Sequence, residues 1–101
     1  MLAQVCSRNG IPIRLTQERW LHILRGHPEL AGWEQEILYT IEHPEQIFAG
    51  PLDELLALRE VEAGKWLVVV YREFEHDGFI ITAFFTRKIS SIRRNKRQIW
   101  P

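Results

Sequence analysis

The fold is decided by the stretch WLVVVYREFEHDGFIITAFFTR, which occupies residues 66–87. It contains two runs rich in β-branched and aromatic residues, 66–74 and 79–87, separated by a polar segment that ends in Gly78. Such runs are typical of β-strands, and a short connection that ends in glycine favours a hairpin. The stretch therefore predicts two neighbouring antiparallel strands.

Shorter strands are predicted upstream of this hairpin. Residues 54–61 form a strand that a turn at residues 62–64 joins to the next run, and residues 46–49 form another. Residues 10–15 alternate apolar side chains around Pro12. Because proline cannot donate a ladder hydrogen bond, we expect this segment to be a short strand at an edge of the sheet.

Two helices are predicted between the first short strand and the others. Thr16 suits an N-cap and Gly26 suits the left-handed position that follows a helix, which predicts a helix over residues 16–25. A second apolar stripe, with spacings of three, four and four, is formed by Leu30, Trp33, Ile37 and Ile41. This stripe predicts a helix that ends before Pro44.

The order of elements predicts an α+β fold in which two N-terminal helices pack on a roughly four-stranded antiparallel meander. The chain has 101 residues, of which 46% are apolar, and this is enough for one hydrophobic core. We expect a single domain over residues 1–101, with its core in about 11–89 and a basic C-terminal segment at 90–101.

Charge is distributed unevenly, although the formal net charge is zero. All 13 acidic residues lie at or before Asp77. Six of the 13 lysines and arginines fall in the last fifteen residues, namely Arg87, Lys88, Arg93, Arg94, Lys96 and Arg97. This asymmetry favours a polyanionic partner such as RNA, and the alternative is a solvated, frayed basic tail.

The compartment predicted from composition is the cytoplasm. Cys6 is the single cysteine, so no internal disulfide can form, as expected in a reducing environment. No apolar run approaches the roughly 18 residues of a membrane span, and the first residues do not resemble a signal peptide. We therefore expect no membrane partner.

Metal and cofactor sites are not indicated. The four histidines lack metal-ligand spacing, since His22 and His27 are five residues apart and there is no set of cysteine partners. Neither a glycine-rich phosphate loop nor a nucleophile elbow is present. We expect no cofactor and no metal.

Four charged or titratable residues are candidates for chemistry. His27 follows the first predicted helix, where free carbonyl groups stabilise a protonated imidazole; it is either a proton donor or simply a cap. Arg59 interrupts an apolar strand, and it either faces solvent or binds a phosphate bidentately. Tyr71 and Arg72 lie on opposite faces of their strand, and the pattern leaves open which face meets the helices.

The order of several short motifs resembles a known group of proteins. These motifs are Leu-Thr-x-x-x-Trp-x-His-Ile-Leu-x-x-His-Pro-Glu-Leu (15–30), Thr-Ile-Glu-His-Pro-Glu-Gln-Ile (40–47), Leu-Val-Val-Val-Tyr-Arg (67–72) and Gly-Phe-Ile-Ile-Thr-Ala-Phe-Phe-Thr (78–86). Over roughly residues 13–88 the chain is similar to the small barnase, EndoU, colicin and RelE (BECR) nuclease-like domains, especially the phage type (PBECR). The resemblance implies a fold of helices followed by a four-stranded antiparallel sheet, and a metal-independent ribonuclease.

The resemblance also implies roles for individual residues. His27 would be the acid or base, Arg59 would stabilise the phosphate, and Thr86 would bond a phosphate oxygen. Tyr71 or Arg72 would match the polar position of the preceding strand. The basic residues from Arg87 onward would bind RNA.

The leading hypothesis is a toxin-like endoribonuclease that cleaves RNA by attack of the 2′-hydroxyl, with an antitoxin or immunity-type protein as its partner. An RNA-binding regulator without chemistry is a related hypothesis. A third is a non-catalytic interaction module with an apolar patch made of Trp33, Trp66, Trp100 and the Phe84-Phe85 pair.

Overall fold

A computed structural model describes residues 3–101 of the chain. In chain order the elements are β1 (Ala3–Cys6), β2 (Pro12–Leu15), α1 (Gln17–Gly26), α2 (Glu34–Glu42), β3 (Gln46–Ala49), β4 (Leu55–Glu62), β5 (Lys65–Glu73), β6 (Gly78–Thr86), α3 (Ile89–Asn95) and β7 (Arg97–Trp100). One turn of 3-10 helix, Pro28–Leu30, connects α1 to α2. Within residues 3–101 no helix is long and apolar enough to cross a membrane.

All the strands join one sheet in the order β1-β2-β6-β5-β4-β3-β7. Strands β3 to β6 form the antiparallel meander predicted from the sequence. The prediction of two helices on a four-stranded antiparallel sheet is nevertheless wrong, because the fold is α+β with three helices and a mixed sheet of seven strands. Strand β2 pairs in parallel with β6, while β1 and β7 add antiparallel edges.

The prediction that residues 10–15 form an edge strand is wrong, because the first hairpin places β1 outside β2. Strand β1 pairs along the whole of β2, from Ala3 opposite Leu15 to Cys6 opposite Pro12. On its other side β2 pairs with β6 through Ile13 and Arg14 alone. Pro12 is therefore tolerated because it stands at the end of β2, beyond the pairing with β6.

Helix α1 confirms the expected N-terminus and corrects the expected C-terminus. The Thr16 side chain accepts a hydrogen bond from the Arg19 backbone N–H at 3.1 Å, as an N-cap does. Gly26 is the last helical residue rather than the residue after the helix, and His27 is the C-cap. The His27 backbone N–H bonds to the Ile23 carbonyl at 2.8 Å, which continues the helical pattern up to the cap.

Helix α2 is shorter than the apolar stripe suggested. Leu30 lies in the 3-10 turn, and Gly32 turns the chain with a φ of +85°, a left-handed conformation that favours glycine. Helix α2 then begins after Trp33. The stripe from Leu30 to Ile41 still faces the core, although its first member belongs to the connection.

Helices α1 and α2 cover one face of the sheet, which we call the helix face. Their buried side chains pack against alternate residues of the central strands. This core includes Trp20, Ile23, Ile37 and Ile41 from the helices, and Ala57, Leu67, Val69, Tyr71 and Ala83 from the sheet. Alternation along β5 therefore places Tyr71 under the helices and Arg72 on the opposite side.

The opposite side, which we call the second face, is partly covered by α3. Ile89 and Ile92 of α3 pack against a smaller apolar cluster made of Phe48, Leu56, Leu58, Trp66 and Val68. Strand β7 then returns along β3. The basic C-terminal segment is thus folded onto the sheet and is not the frayed tail considered from the sequence.

Candidate functional site

His27 lies where α1 ends beside the second face. Its ring centroid is 6.2 Å from that of Phe84, and its Nδ1 is 3.5 Å from a carboxylate oxygen of Glu29. The imidazole is 36% exposed, so it is partly accessible from solvent. It is the C-cap of α1. These contacts give His27 both a fixed position and access to a ligand.

Thr86 lies on the same face as Phe84, two residues further along β6 and so about 7 Å away. Its hydroxyl accepts a hydrogen bond from the Lys88 backbone N–H at 3.0 Å. Directly across the ladder stands Trp66, and the Arg93 guanidinium lies 5.4 Å from the Trp66 ring centroid. We call His27, Phe84, Thr86, Trp66 and Arg93 the His27 site.

Arg93 is held in place by its neighbours. Its Nη2 and Nε donate to the Gln46 side-chain oxygen at 3.1 and 3.4 Å, and its guanidinium stacks on Trp66. The side chain remains exposed. A guanidinium oriented by a neutral amide and an aromatic ring keeps its charge available for an anion.

The cations of the basic segment, residues 87–97, are mostly free of carboxylates. Arg87 pairs with Glu62 at 3.6 Å. In the described part of the chain, no carboxylate oxygen lies within 4.0 Å of the remaining five, which are Lys88, Arg93, Arg94, Lys96 and Arg97. Five unpaired cations within the ten positions 88–97 give α3, β7 and their connections a positive charge.

Arg59 lies on the helix face and is committed to α2. Its Nε donates to the Thr40 hydroxyl at 3.1 Å, and its Nη2 donates to the Glu36 carbonyl at 3.2 Å and to the Glu36 carboxylate at 2.7 Å. The guanidinium also lies 4.8 Å from the Tyr39 ring centroid, and its side chain is 16% exposed. The structure therefore does not bring Arg59 together with His27 and Thr86.

Tyr71 and Arg72 lie on opposite faces, as their spacing predicts. Tyr71 is buried on the helix face, where burial and the nearby Glu73 carboxylate raise the pKa of its phenol. Arg72 lies on the second face, with its guanidinium 5.1 Å from the Phe74 ring centroid. Of these two residues, Arg72 alone shares a face with Thr86.

The sequence did not identify Trp66 and Arg93 as parts of one site. The sequence predicts Arg93 only as part of the basic segment and Trp66 only as part of an apolar patch. Ile89 and Ile92, three residues apart, were a signal for a helix that packs on the sheet. Such a helix places Arg93 beside that surface.

The aromatic residues proposed as an apolar patch are largely engaged inside the molecule. Trp66 is buried, and Trp33 packs edge-on against Phe85 with ring centroids 4.9 Å apart. The Arg8 guanidinium covers Trp100 at 4.3 Å from its ring centroid. These contacts distribute the tryptophans over separate parts of the fold, so they do not make one continuous patch.

Over residues 3–101 the surface has no enclosed pocket, and no three His, Cys, Asp or Glu side chains gather as metal ligands would. No protein-family model, no curated protein and no solved structure matches this chain.

Proposed function

We propose that this chain binds single-stranded RNA through its basic segment and cleaves it at the His27 site without a metal ion. The observation that carries the proposal is the group of five cations without carboxylate partners on α3, β7 and their connections, which follow Thr86 directly in the chain. Elsewhere on the described chain, Arg14 and Arg59 pair with carboxylates. The other cations without such partners are spread over the β1–β2 turn, α1 and β5, namely Arg8, Arg19, Arg25, Lys65 and Arg72. Unpaired lysines and arginines clustered on one surface are typical of phosphate-binding proteins.

The proposed reaction is attack of a ribose 2′-oxygen on the adjacent phosphorus. The O2′–P bond forms, the P–O5′ bond breaks, and the products are a 2′,3′-cyclic phosphate and a free 5′-hydroxyl. One proton leaves the 2′-hydroxyl and one is delivered to the 5′-oxygen, so acid and base catalysis both accelerate the step. The resemblance of the motif order to BECR domains supports this chemistry.

In this mechanism His27 transfers a proton, because its imidazole is partly exposed and positioned beside the second face. Arg93 binds a backbone phosphate of the RNA, since its guanidinium is oriented by Gln46 and Trp66 and has no carboxylate partner. The Thr86 hydroxyl donates to a phosphate oxygen while it accepts from the Lys88 N–H. Arg59 instead positions α2, because its Nε and Nη2 donors already bond Thr40 and Glu36.

The test is cleavage of purified total RNA in excess chelator by the wild type and by His27→Ala. His22→Ala is the matched control, because His22 is an exposed histidine on the neighbouring helix α1. We expect discrete fragments with cyclic phosphate ends from the wild type and from His22→Ala. His27→Ala should bind the RNA and cut it at least about a hundredfold more slowly.

Two controls make the result specific. An oligonucleotide in which every ribose is replaced by deoxyribose should bind and remain intact, because it lacks the attacking 2′-hydroxyl. Equal cleavage by the wild type and His27→Ala would overturn the role of His27. Intact RNA in all reactions, together with retained RNA binding, would instead favour the regulator that binds without chemistry.

A further inference from the structure

We propose that Arg72 is a second phosphate-binding subsite, which holds single-stranded RNA several nucleotides away from the bond at the His27 site. This inference rests on the proposed function and adds the path of the RNA across the second face. It starts from an arginine that the structure leaves without a carboxylate partner on a sheet surface.

The Arg72 side chain has an unusual environment for an arginine. Its Nε is buried and makes no hydrogen bond within the described structure. Because Nε is out of reach of solvent, an anion would bind the terminal Nη1 and Nη2 groups, which form no hydrogen bond among the described residues. Through the stacking on Phe74, the guanidinium is held near one end of β5.

The carboxylates closest in the chain and in the sheet are occupied elsewhere. Glu73 accepts hydrogen bonds from the Ser7 hydroxyl and from the Asn9 side-chain amide. Glu54 accepts from the Leu52 backbone N–H at 2.8 Å. Among residues 3–101 no carboxylate oxygen lies within 4.0 Å of the Arg72 guanidinium. The charge of Arg72 is therefore available to an external anion.

The distance between Arg72 and the His27 site follows from the register of β5 and β6. Phe84 lies opposite Val68, and Phe79 lies opposite Arg72. Along β5, Arg72 therefore lies four residues from Val68, the residue opposite Phe84, and this corresponds to about 13 Å. A stacked strand advances about 3.4 Å per nucleotide, so the subsite lies about two to four nucleotides from the reacting phosphate, depending on extension.

The surface between the two levels suits a single strand. On the second face β6 presents Phe84, Thr82 and Phe79, all of them half-buried. Phenylalanine rings are platforms for stacked bases, and the threonine hydroxyl offers a hydrogen bond between them. An aromatic row with a free cation at one end and a basic segment at the other is the arrangement that binds single strands without sequence preference.

The test compares two probes, a mixed-sequence oligoribonucleotide of about eight nucleotides and a dinucleoside monophosphate. Binding is measured with the wild type, Arg72→Gln, Arg72→Lys and Arg19→Gln. Arg19 is the control arginine because it lies on α1, which packs on the helix face. Thermal unfolding of each variant checks that it is folded.

We expect Arg72→Gln to weaken binding of the longer probe about tenfold. The slope of the logarithm of its binding constant against the logarithm of salt concentration should become shallower by about 0.7, which corresponds to one lost phosphate contact. The dinucleoside monophosphate should be bound and cleaved as by the wild type. Arg72→Lys should keep most of the affinity, and Arg19→Gln should keep all of it.

The outcomes separate the subsite from the function on which it rests. If the wild type binds both probes and Arg72→Gln binds the longer one equally well, the subsite is wrong and the proposed function stands. Equal losses for the long and the short probe would also overturn it, because they would place Arg72 at the reacting phosphate. If the wild type binds and cleaves neither probe, the proposed function fails and the subsite fails with it.

Discussion

Arg59 is the clearest case of a charged side chain whose partners determine its role. Its three donated hydrogen bonds join β4 to α2 in a largely buried environment. We expect Arg59→Met to lower the free energy of unfolding by about 1–3 kcal/mol, because hydrogen bonds to a charged group are lost. Urea unfolding measures this change. Arg87→Met is the control, since Arg87 forms an exposed ion pair worth about 0–1 kcal/mol.

The same variant also separates a structural role from a catalytic one. If Arg59→Met unfolds at the same urea concentration as the wild type but no longer cleaves RNA, the assignment of Arg59 to α2 is wrong. Phosphate stabilisation, as the resemblance implies, would then be its role. A less stable protein with unchanged cleavage in the folded state is the expected result.

Tyr71 gives a prediction about alkaline pH. Burial and the charge of Glu73 raise the pKa of this phenol above the value of about 10 that it has in an unfolded chain. The folded state therefore keeps the proton on Tyr71 to a higher pH than the unfolded chain does. The contribution of this group to the free energy of unfolding is complete below about pH 10 and declines above that pH. In a Tyr39→Phe background, which leaves Tyr71 as the sole tyrosine, phenolate absorbance should appear together with loss of the folded signal.

Replacing the phenol tests this explanation. In Tyr71→Phe the decline of stability above about pH 10 should become shallower, and RNA cleavage at neutral pH should be unchanged because the ring is buried. Phenolate absorbance that develops while the protein remains fully folded would contradict the raised pKa.

At the scale of elements, what the sequence could predict were the segments whose own pattern is strong. The cap at Thr16 and the long apolar runs of β5 and β6 are local signals, and both are confirmed. Strand β1 has only four residues and gains its structure from pairing with β2. The parallel pairing of β2 with β6 joins residues more than sixty positions apart, and no local pattern encodes it.

The candidate site divides in the same way. The position of His27 at a helix end could be predicted, because a helix signal precedes it and proline follows it. The role of Arg59 could not be predicted, since it depends on contacts with Glu36 and Thr40 of α2. Arg93 acquires its place from the packing of α3, whose seven residues are too few to show a long helical period.

Gly78 shows how closely the elements approach one another. It starts β6 between β2 and β5, and a Cβ at this position would overlap the Arg72 carbonyl oxygen and lie 2.7 Å from Ile13 Cδ1. We expect Gly78→Ala to cost about 1–3 kcal/mol, as for other overpacked positions. The measurement is the urea midpoint.

The matched control for this prediction is Gly26→Ala. Gly26 ends α1, and a Cβ there would meet no atom within 4 Å. Because alanine favours the helical conformation more than glycine does, this variant should be as stable as the wild type or more stable by up to about 1 kcal/mol. Equal destabilisation by both substitutions would show that steric overlap is not what restricts Gly78.

For the whole molecule, zero net charge conceals a separation of charge that the fold preserves. The acidic residues belong to the first 77 positions, and five of the cations without carboxylate partners are carried by α3, β7 and their connections. The turn after β1 also reaches the other edge of the sheet, because Arg8 covers Trp100 of β7. The sheet is therefore curved, and its last strand is joined to its first hairpin as well as to β3.

In this architecture the C-terminal segment is part of the fold. Removal of residues 89–101 tests whether this segment stabilises the protein. The truncated chain would lose Ile89 and Ile92 from the second core and expose Phe48 and Trp66. Since each buried aliphatic side chain contributes about 1.5–3 kcal/mol, we expect a loss of about 2–5 kcal/mol in urea unfolding. The control is the full-length double variant Arg94→Gln and Lys96→Gln, which removes charge without removing the apolar contacts.

The double variant should unfold at the same urea concentration as the wild type and bind RNA more weakly. Arg94 is exposed and Lys96 is partly exposed, and neither has a carboxylate partner in the described chain. The truncated chain should lose stability and RNA binding together. If it keeps the stability of the full chain, α3 contributes no packing energy and the basic segment acts as a tail. If instead the double variant is as unstable as the truncated chain, the charges and not the isoleucines hold the segment on the sheet.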